Sequence, residues 1–502
     1  EYLEGIVETE DLDEDEEDED DVEESQEPSV TAEEFLRRYN EGERDFTGIN
    51  LAGVDLSGQT LNYDVNLSGA NLRGANLSHS TLSQINLSHV NLREANLSKA
   101  NLAYSNLKEA NLKKANLYLA DLRGSQLEKA NLKKANLREA YLGGTNFSGA
   151  DLSYSILVNS QETQNINFSD ANLKKANLSK LNLRKANLSN ANLSYTNLSE
   201  TNLLEVNLET NNYQGVNLEK AICSLSTTFP VNFDSEQAGI YLLVPGAALQ
   251  ELDLSGADLR NINLTEANLQ GANLNSANLQ GADLSLANLS QAHLNKANLP
   301  NAKLLQANLV EANFSEANLS SVDLTAATSS KANFSKASLG YAKLAATDLS
   351  EANLSEANLQ NCNISGANLR QANLMQANLR NANFLGSDLN SANLKNAELN
   401  HANMSQANLT KINLVGVNLS VVNLSNTNLS YANLCGTIFC GNNQLNGINF
   451  TEADLRGANF QTANLENVNF RNANITGADF GENSSYPANL KGAIMPDGTV
   501  HE

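Results

Sequence analysis

Leucine recurs at every fifth position from Leu92 to Leu137, in the run NLREA NLSKA NLAYS NLKEA NLKKA NLYLA DLRGS QLEKA NLKKA NLREA. A period of five suits neither an α-helix nor a plain strand, whose repeats are about 3.6 and 2 residues. Ala precedes most of these leucines by two positions. Residues two apart share a face of an extended chain, so Ala and Leu look into one interior. The next Ala lies three residues on, and the chain must turn before it faces inward again. The two residues after each Leu are mostly Ser, Gly, Lys, Glu, Gln or Asn, which suit an exposed corner. Each unit is therefore one short side and one corner, with Leu as its centre. Successive units wind into a solenoid whose coils lie about 4.8 Å apart. Ala fits a narrow bore beside Leu, and Asn directly before the centre points outward, where stacked amides form ladders.

The number of sides follows from the aromatic centres. Near the C-terminus the centres read Phe450, Leu455, Phe460, Leu465, Phe470, Ile475 and Phe480. On a four-sided coil this spacing stacks Phe450 on Phe470 and Phe460 on Phe480, on two opposed sides. A three-sided coil would scatter the rings over all faces. Units such as Ala100-Asn101-Leu102-Ala103-Tyr104 and Ala267-Asn268-Leu269-Gln270-Gly271 match an A-(N/D)-L-x-x consensus. Over residues 46–221 and 247–495 the chain resembles the pentapeptide-repeat proteins. That resemblance implies an all-β fold, a right-handed quadrilateral β-helix with four units per coil. Thr228-Phe229-Pro230 with Phe233-Asp234, and the closing stretch Asn489–Thr499, resemble segments of cyanobacterial members.

Read in order, residues 1–30 are acidic and nearly free of large apolar groups, and self-repulsion predicts a disordered tail. Residues 31–45 hold Thr31 and Glu34 as a capping box, Phe35, Leu36 and Tyr39 as an apolar stripe, and Gly42 as a stop. They predict a short helical cap over the first coil, whose edge would otherwise stay open to other strands. The first β-helix spans residues 46–221. It slips by one residue before Leu67 and again between Leu157 and Phe168, where Val158–Asn167 is expected to bulge at a corner. Residues 222–248 break the pattern as a connector between two tubes or an insertion in one. Within it Asp234–Gln237 is expected to open a helical turn, and the apolar run Ile240–Val244 to be buried. The second β-helix spans 249–495 and keeps one phase from Leu249 to Phe439. Ser329 stands there in place of an apolar centre and is expected to open the coil locally. Residues 496–502 form a C-terminal tail.

Motifs for chemistry are absent. His79, His89, His293, His401 and His501 lie far apart, and none pairs with Cys at a metal-ligand spacing. There is no phosphate-binding glycine loop and no nucleophile elbow. Cys362 replaces an inward Ala and is expected as a buried structural thiol, while Cys435 and Cys440 face outward on adjacent sides. No catalytic residue, cofactor or metal site is expected, and the chain does not read as an enzyme. No run of about 20 apolar residues spans a membrane. No signal peptide is seen, although a start at Glu1 leaves the true N-terminus open. The density of Asn-Leu-Ser sequons argues against a eukaryotic secretory route, and the cytoplasm is the expected setting.

Charge is unevenly spread. The net charge is −25, and residues 1–27 supply 17 acids with no Lys or Arg. From Leu67 to Ala221 there are 17 bases and 12 acids; from Ile222 onward there are 13 bases and 22 acids. Arg73, Arg93, Lys113 and Lys133 each follow a centre at intervals of 20, with Lys114 and Lys134 beside the last two. A four-sided coil stacks them as a candidate anion- or partner-binding stripe, and like charges 4.8 Å apart in water repel by about 1 kcal/mol. The acidic tail, Asp11–Glu24, is a possible intramolecular occupant of the stripe. Two functions compete on this reading. The first is a non-enzymatic scaffold presenting a rigid β-helical surface to protein partners. The second is an acidic DNA-mimic that inhibits a DNA-processing enzyme such as a type II topoisomerase, as some members of the resembled family do. The basic column spoils a uniform mimic, and direct nucleic-acid binding is not expected.

Overall fold

A computed structural model describes residues 28–209, 212–231, 233–235, 237–442, 444–481 and 489–502. The chain forms two compact units. The first comprises Glu1–Leu181, Ala186–Ser199 and Asn207–Asn217; the second comprises Asn182–Lys185, Glu200–Val206 and Leu218–Glu502. The acidic residues 1–27, expected as a disordered tail, lie outside the described residues.

Parallel bridges join residues 20 apart, Asn71 to Asn91 to Asn111 to Asn131 in the first unit and Asn268 to Asn288 to Asn308 in the second. Four five-residue units thus complete one coil, and each unit is wound as a β-helix. The centre N–H donates to the next coil, as Leu92 N to Asn111 O at 2.7 Å, and Asn111 N donates back to Val90 O at 2.8 Å. Each corner closes when the inner residue donates to the preceding centre, as Ala95 N to Leu92 O at 3.0 Å. The second corner residue sits in the left-handed region at nearly every unit, with φ of 61° at Glu94, Lys114 and Lys134. For a residue with a Cβ this conformation costs about 1–2 kcal/mol. Its N–H also reaches the next coil, as Glu94 N to Lys113 O at 2.9 Å, and that bond offsets the strain.

The outward Asn makes two bonds. Asn91 Oδ1 accepts the Arg93 N–H at 3.2 Å, closing the corner, and Asn91 Nδ2 donates to Asn71 Oδ1 at 3.2 Å. Asp keeps the acceptor and lacks the donor, so Asp55 accepts from Ser57 N at 2.9 Å and from Asn76 Nδ2 at 3.1 Å. On one side of the second unit charges replace the amides. Asp283, Lys303, Asp323 and Lys343 follow one another coil by coil. Lys303 Nζ lies 3.2 Å from Asp283 Oδ2, and Lys343 Nζ 3.4 Å from Asp323 Oδ2.

The bore is filled by Leu, Ala and Phe. Phe450 stacks on Phe470 at 5.2 Å and Phe460 on Phe480 at 5.1 Å, while Phe450 meets Phe460 edge-on across the bore at 6.1 Å. The ten-residue Phe spacing therefore places the rings on two opposed sides, as the sequence requires. Hydroxyls at the inner position reach a spare carbonyl: Ser125 Oγ donates to Leu102 O at 2.9 Å and Thr347 Oγ1 to Leu324 O at 2.8 Å. Cys362 does the same, its Sγ 2.8 Å from Leu339 O, and burial pushes its thiol pKa up to about 12. Ser329 differs. It stands at a centre, is fully buried, and its Oγ has no hydrogen-bond partner. The expected opening of the coil does not occur, because Ser329 N still bonds Asp348 O at 2.7 Å and Ala332 N bonds Ser329 O at 3.1 Å. Backbone pairing between coils does not need the side chain.

In the first unit the helix α1, Ala32–Asn40, is capped by Thr31, whose hydroxyl accepts the Glu34 N–H at 3.2 Å. Its one buried residue, Phe35, packs against Phe46, the first centre, at 4.7 Å between ring centroids. In the second unit β1, Ile222–Cys223, pairs in parallel with β2, Tyr241–Leu242. Of the apolar run Ile240–Val244, only Leu243 is buried and Leu242 is 40% exposed, because alternate residues of this short strand face opposite sides. Asp234 makes a single turn, accepting from Ala238 N at 3.1 Å. Val158–Asn167 likewise keeps the coil: Thr163 and Ile166 are buried, and one extra residue is absorbed at the corner near Glu162. The chain ends in an antiparallel pairing of Val500 with Ile494, with His501 N donating to Ala493 O at 2.9 Å.

Candidate functional site

The basic column lies wholly in the first unit. Bridges carry one side of the coil from Asn50 through Asn71, Asn91, Asn111 and Asn131 to Asp151 and Asn172. From Asn71 onward the residues two places after these are Arg73, Arg93, Lys113, Lys133, Ser153 and Lys174, and the next residue in each is Gly74, Glu94, Lys114, Lys134, Tyr154 and Lys175. Coil contacts agree: Lys114 N bonds Lys133 O at 2.9 Å, Lys134 N bonds Ser153 O at 2.9 Å, and Tyr154 N bonds Lys174 O at 3.0 Å. Arg73, Arg93, Lys113 and Lys133 thus follow one another coil by coil, with Lys114 and Lys134 beside the last two, and Lys174 and Lys175 lie farther along the same two columns.

Sequence spacing alone misses the last pair. Asp151 bridges to Asn172, a step of 21, because the extra corner residue near Glu162 shifts everything after it by one. The slip between Leu157 and Phe168 was the available signal, since adding it to the 20-residue step leads from Tyr154 to Lys175.

Exposure corrects a second expectation. Arg93 and Lys113, placed on the solvent side by the spacing, are only 7% and 6% exposed. Ser153 and Ser194 in the same column are under a tenth exposed as well, whereas Lys174 is exposed. Lys114 and Lys134, one place later in the corner, are exposed, and Arg73 and Lys133 are half-buried. Glu94 is the acid within these two columns, lying 3.6 Å from Arg73 and 3.4 Å from Arg93. Farther along, three ammonium groups surround the Tyr154 ring: Lys175 at 5.5 Å, Lys134 at 5.9 Å and Lys133 at 6.0 Å from its centroid. Such cation–π contacts draw Lys stems together despite their like charge. Tyr195 follows Lys175 in the column and lies over Gly215, where a Cβ would sit 2.5 Å from the ring. The same arrangement recurs on another side, Tyr104 over Gly124. Glycine at these corners gives the ring a flat floor.

Among the described residues no group of three or more His, Cys, Asp or Glu is placed to hold a metal. No described helix is long and apolar enough to cross a membrane. In the second unit a cavity of about 310 Å³ is lined by Leu225, Leu243, Val244, Pro245 and Ile262, with Arg184 at its wall. Arg184 is committed, at 2.5 Å to Glu205 and 3.1 Å to Asp258, and Arg260 also holds Asp258 at 2.6 Å. Burial opposes ionisation of Asp258, but the hydrogen bonds from Arg260 and the charge of Arg184 outweigh it and keep the carboxyl below the ordinary aspartate range. This cluster ties together the residues around the cavity.

The profile of pentapeptide repeats matches the chain over residues 45–161, 166–203, 253–325, 332–441 and 444–481. HetL, a pentapeptide repeat protein involved in heterocyst differentiation regulation from the cyanobacterium Nostoc sp. strain PCC 7120, is 32% identical over 53% of this chain and 96% of its own, with a TM-score of 0.23. Rfr23, a pentapeptide repeat protein from the cyanobacterium Cyanothece 51142, is 32% identical over 26% of this chain and 95% of its own, with a TM-score of 0.18. A pentapeptide repeat protein of the Arabidopsis thaliana thylakoid lumen is 34% identical over 24% of this chain and 71% of its own, with a TM-score of 0.15. No curated protein matches the chain significantly.

Proposed function

The chain belongs to the pentapeptide-repeat family, and from that premise we propose that it is a non-enzymatic scaffold that docks acidic protein segments on the basic face of its first unit. One observation carries this reading: eight cations, from Arg73 to Lys175, share two adjacent columns with the single acid Glu94. The backbone ladder fixes their spacing at about 4.8 Å along the coil axis. A partner therefore meets a preset charge pattern, which lowers the ordering cost of binding. Tyr154 and Tyr195 add aromatic surface beside the charges, and aromatic residues are enriched at protein interfaces. Four free thiols, Cys223, Cys362, Cys435 and Cys440, fit a reducing setting such as the cytoplasm.

A photo-crosslinking residue placed at Lys134 or Lys175, and separately at the corner Ala346 of the second unit, tests the proposal in native lysate. Adducts specific to the first two positions are expected, and their loss in a Lys114→Glu, Lys134→Glu, Lys175→Glu variant. The same adducts at all positions would refute a dedicated face. Inhibition of gyrase supercoiling by the purified chain would instead favour the DNA-mimic reading.

A further inference from the structure

We infer that the basic face is also the docking surface for the chain's own acidic N-terminal residues 1–27, so that an outside acidic partner must compete with them. The inference rests on the reading of that face as an anion-binding surface. Its first support is where the chain enters the first coil. Ser29 Oγ donates to Asn50 O at 3.4 Å. Asn50 heads the side that bridges through Asn71, Asn91, Asn111, Asn131 and Asp151 to Asn172. Residue 29 is thus held at the top of the same side that carries Arg73, Arg93, Lys113, Lys133 and Lys174, and not on one of the other three.

Reach is the second support. Six coil steps separate Asn50 from Asn172, a distance of about 29 Å at the strand spacing. An extended chain covers about 3.3 Å per residue. Glu24 then reaches up to about 17 Å from Ser29 and Asp11 up to about 60 Å, which brackets the stretch from Lys113 to Lys175. Charge is the third support. Residues 1–27 carry 17 acids and no Lys or Arg, against eight cations and Glu94 on the face. Neighbouring cations along the column repel by about 1 kcal/mol per pair in water, and a polyacidic strand laid across them relieves that repulsion. Because the tail is covalently attached, its effective concentration at the face is in the millimolar range, enough to mask weak outside ligands.

The experiment compares the full chain with a full-length variant in which every acid from Asp11 to Glu24 becomes its amide. One readout is zero-length carbodiimide coupling, which joins a carboxylate to a lysine amine only in direct contact, mapped by mass spectrometry. Couplings from Asp11–Glu24 to Lys114, Lys133, Lys134, Lys174 or Lys175 are expected, and their loss in ~1 M salt, where the screening length falls to about 3 Å. The second readout is binding of a fluorescent poly-glutamate peptide at low salt, which the amide variant should bind about tenfold more tightly than the full chain, with the difference vanishing at high salt. Couplings spread equally over Lys296, Lys331 and Lys336, together with equal peptide affinity of the two chains, would overturn the inference while leaving the face as an anion site. Failure of the peptide to bind either chain would overturn the anion-site reading, and the coupling map alone would then decide where the tail sits.

Discussion

Replacing Ser329 tests how far the bore tolerates a missing centre. Its hydroxyl is fully buried without a partner, whereas inner-position hydroxyls such as Thr347 reach a carbonyl. Leaving a buried hydroxyl unpaired costs about 1–3 kcal/mol. Ser329→Ala removes that cost and little else, so it should stabilise the surrounding coils by about 1–2 kcal/mol. Ser329→Leu restores the consensus between Leu309 and Leu349 of the adjoining coils and adds burial worth about 1.5–3 kcal/mol, if the space is open. A global melting curve is a poor readout, because stability in a solenoid accumulates from neighbouring coils. Hydrogen exchange at Ser329 N, bonded to Asp348 O, and at Leu309 N, bonded to Thr328 O, reports the local opening directly. Each 1.4 kcal/mol slows exchange about tenfold, so the Ala variant should protect these amides about five- to thirtyfold more. Unchanged exchange in Ser329→Ala would refute the idea of an orphaned hydroxyl. Faster exchange in Ser329→Leu would show that the coil has closed around the small residue.

Other expectations follow from single contacts. Gly124→Lys, an ordinary corner residue elsewhere, puts a Cβ about 2.5 Å from the Tyr104 ring and should displace it, at about 1–3 kcal/mol, detectable as a change in Tyr104 exposure to chemical modification. Asp258→Asn removes the charge that Arg184 and Arg260 share and should cost about 1–2 kcal/mol near neutrality. Because the folded carboxyl titrates below its ordinary value of 3.8, its contribution is complete above that value and fades as pH falls through the folded pKa. The stability gap between wild type and variant should therefore close below about pH 4, and a gap that persists unchanged into strong acid would contradict the assignment. Thiol titration at pH 8 should label Cys440, label Cys435 more slowly because burial and the neighbouring Asp454 push its thiol up, and leave Cys223 and Cys362 unlabelled until unfolding, since burial pushes both of the latter up to about 12.

Periodicity makes the coil legible in the sequence itself. The Leu and Ala positions define the bore, and Phe450 through Phe480 report the number of sides, because both signals survive unchanged from unit to unit. The Asn ladder was legible for the same reason. What escaped has physical causes. Lys174 and Lys175 join the basic face only after one extra residue near Glu162 is counted, and a fixed step of 20 walks past them. Arg93 and Lys113 are buried while Lys174 in the same column is exposed, a difference in side-chain surroundings that residue spacing does not encode. Left-handed corners filled by Lys, Glu and Tyr were hidden because glycine is the usual marker of that conformation, and here inter-coil hydrogen bonds carry it. At Ser329 local side-chain chemistry predicted a break, and the backbone ladder on either side overrode it.

The alternation of Asp283, Lys303, Asp323 and Lys343 has a consequence for assembly of the fold itself. Near-identical coils give a folding chain many wrong neighbours of almost equal energy, since any coil resembles the one 20 residues away. An Asn ladder cannot tell them apart. The charged column can: skipping one coil sets Asp against Asp and Lys against Lys, each like pair unfavourable by about 1 kcal/mol, in place of the attractions seen at 3.2 and 3.4 Å. Four residues thus act as a registration mark, a sparse code written on the outside of a repetitive sequence that penalises mis-threading while leaving the bore untouched.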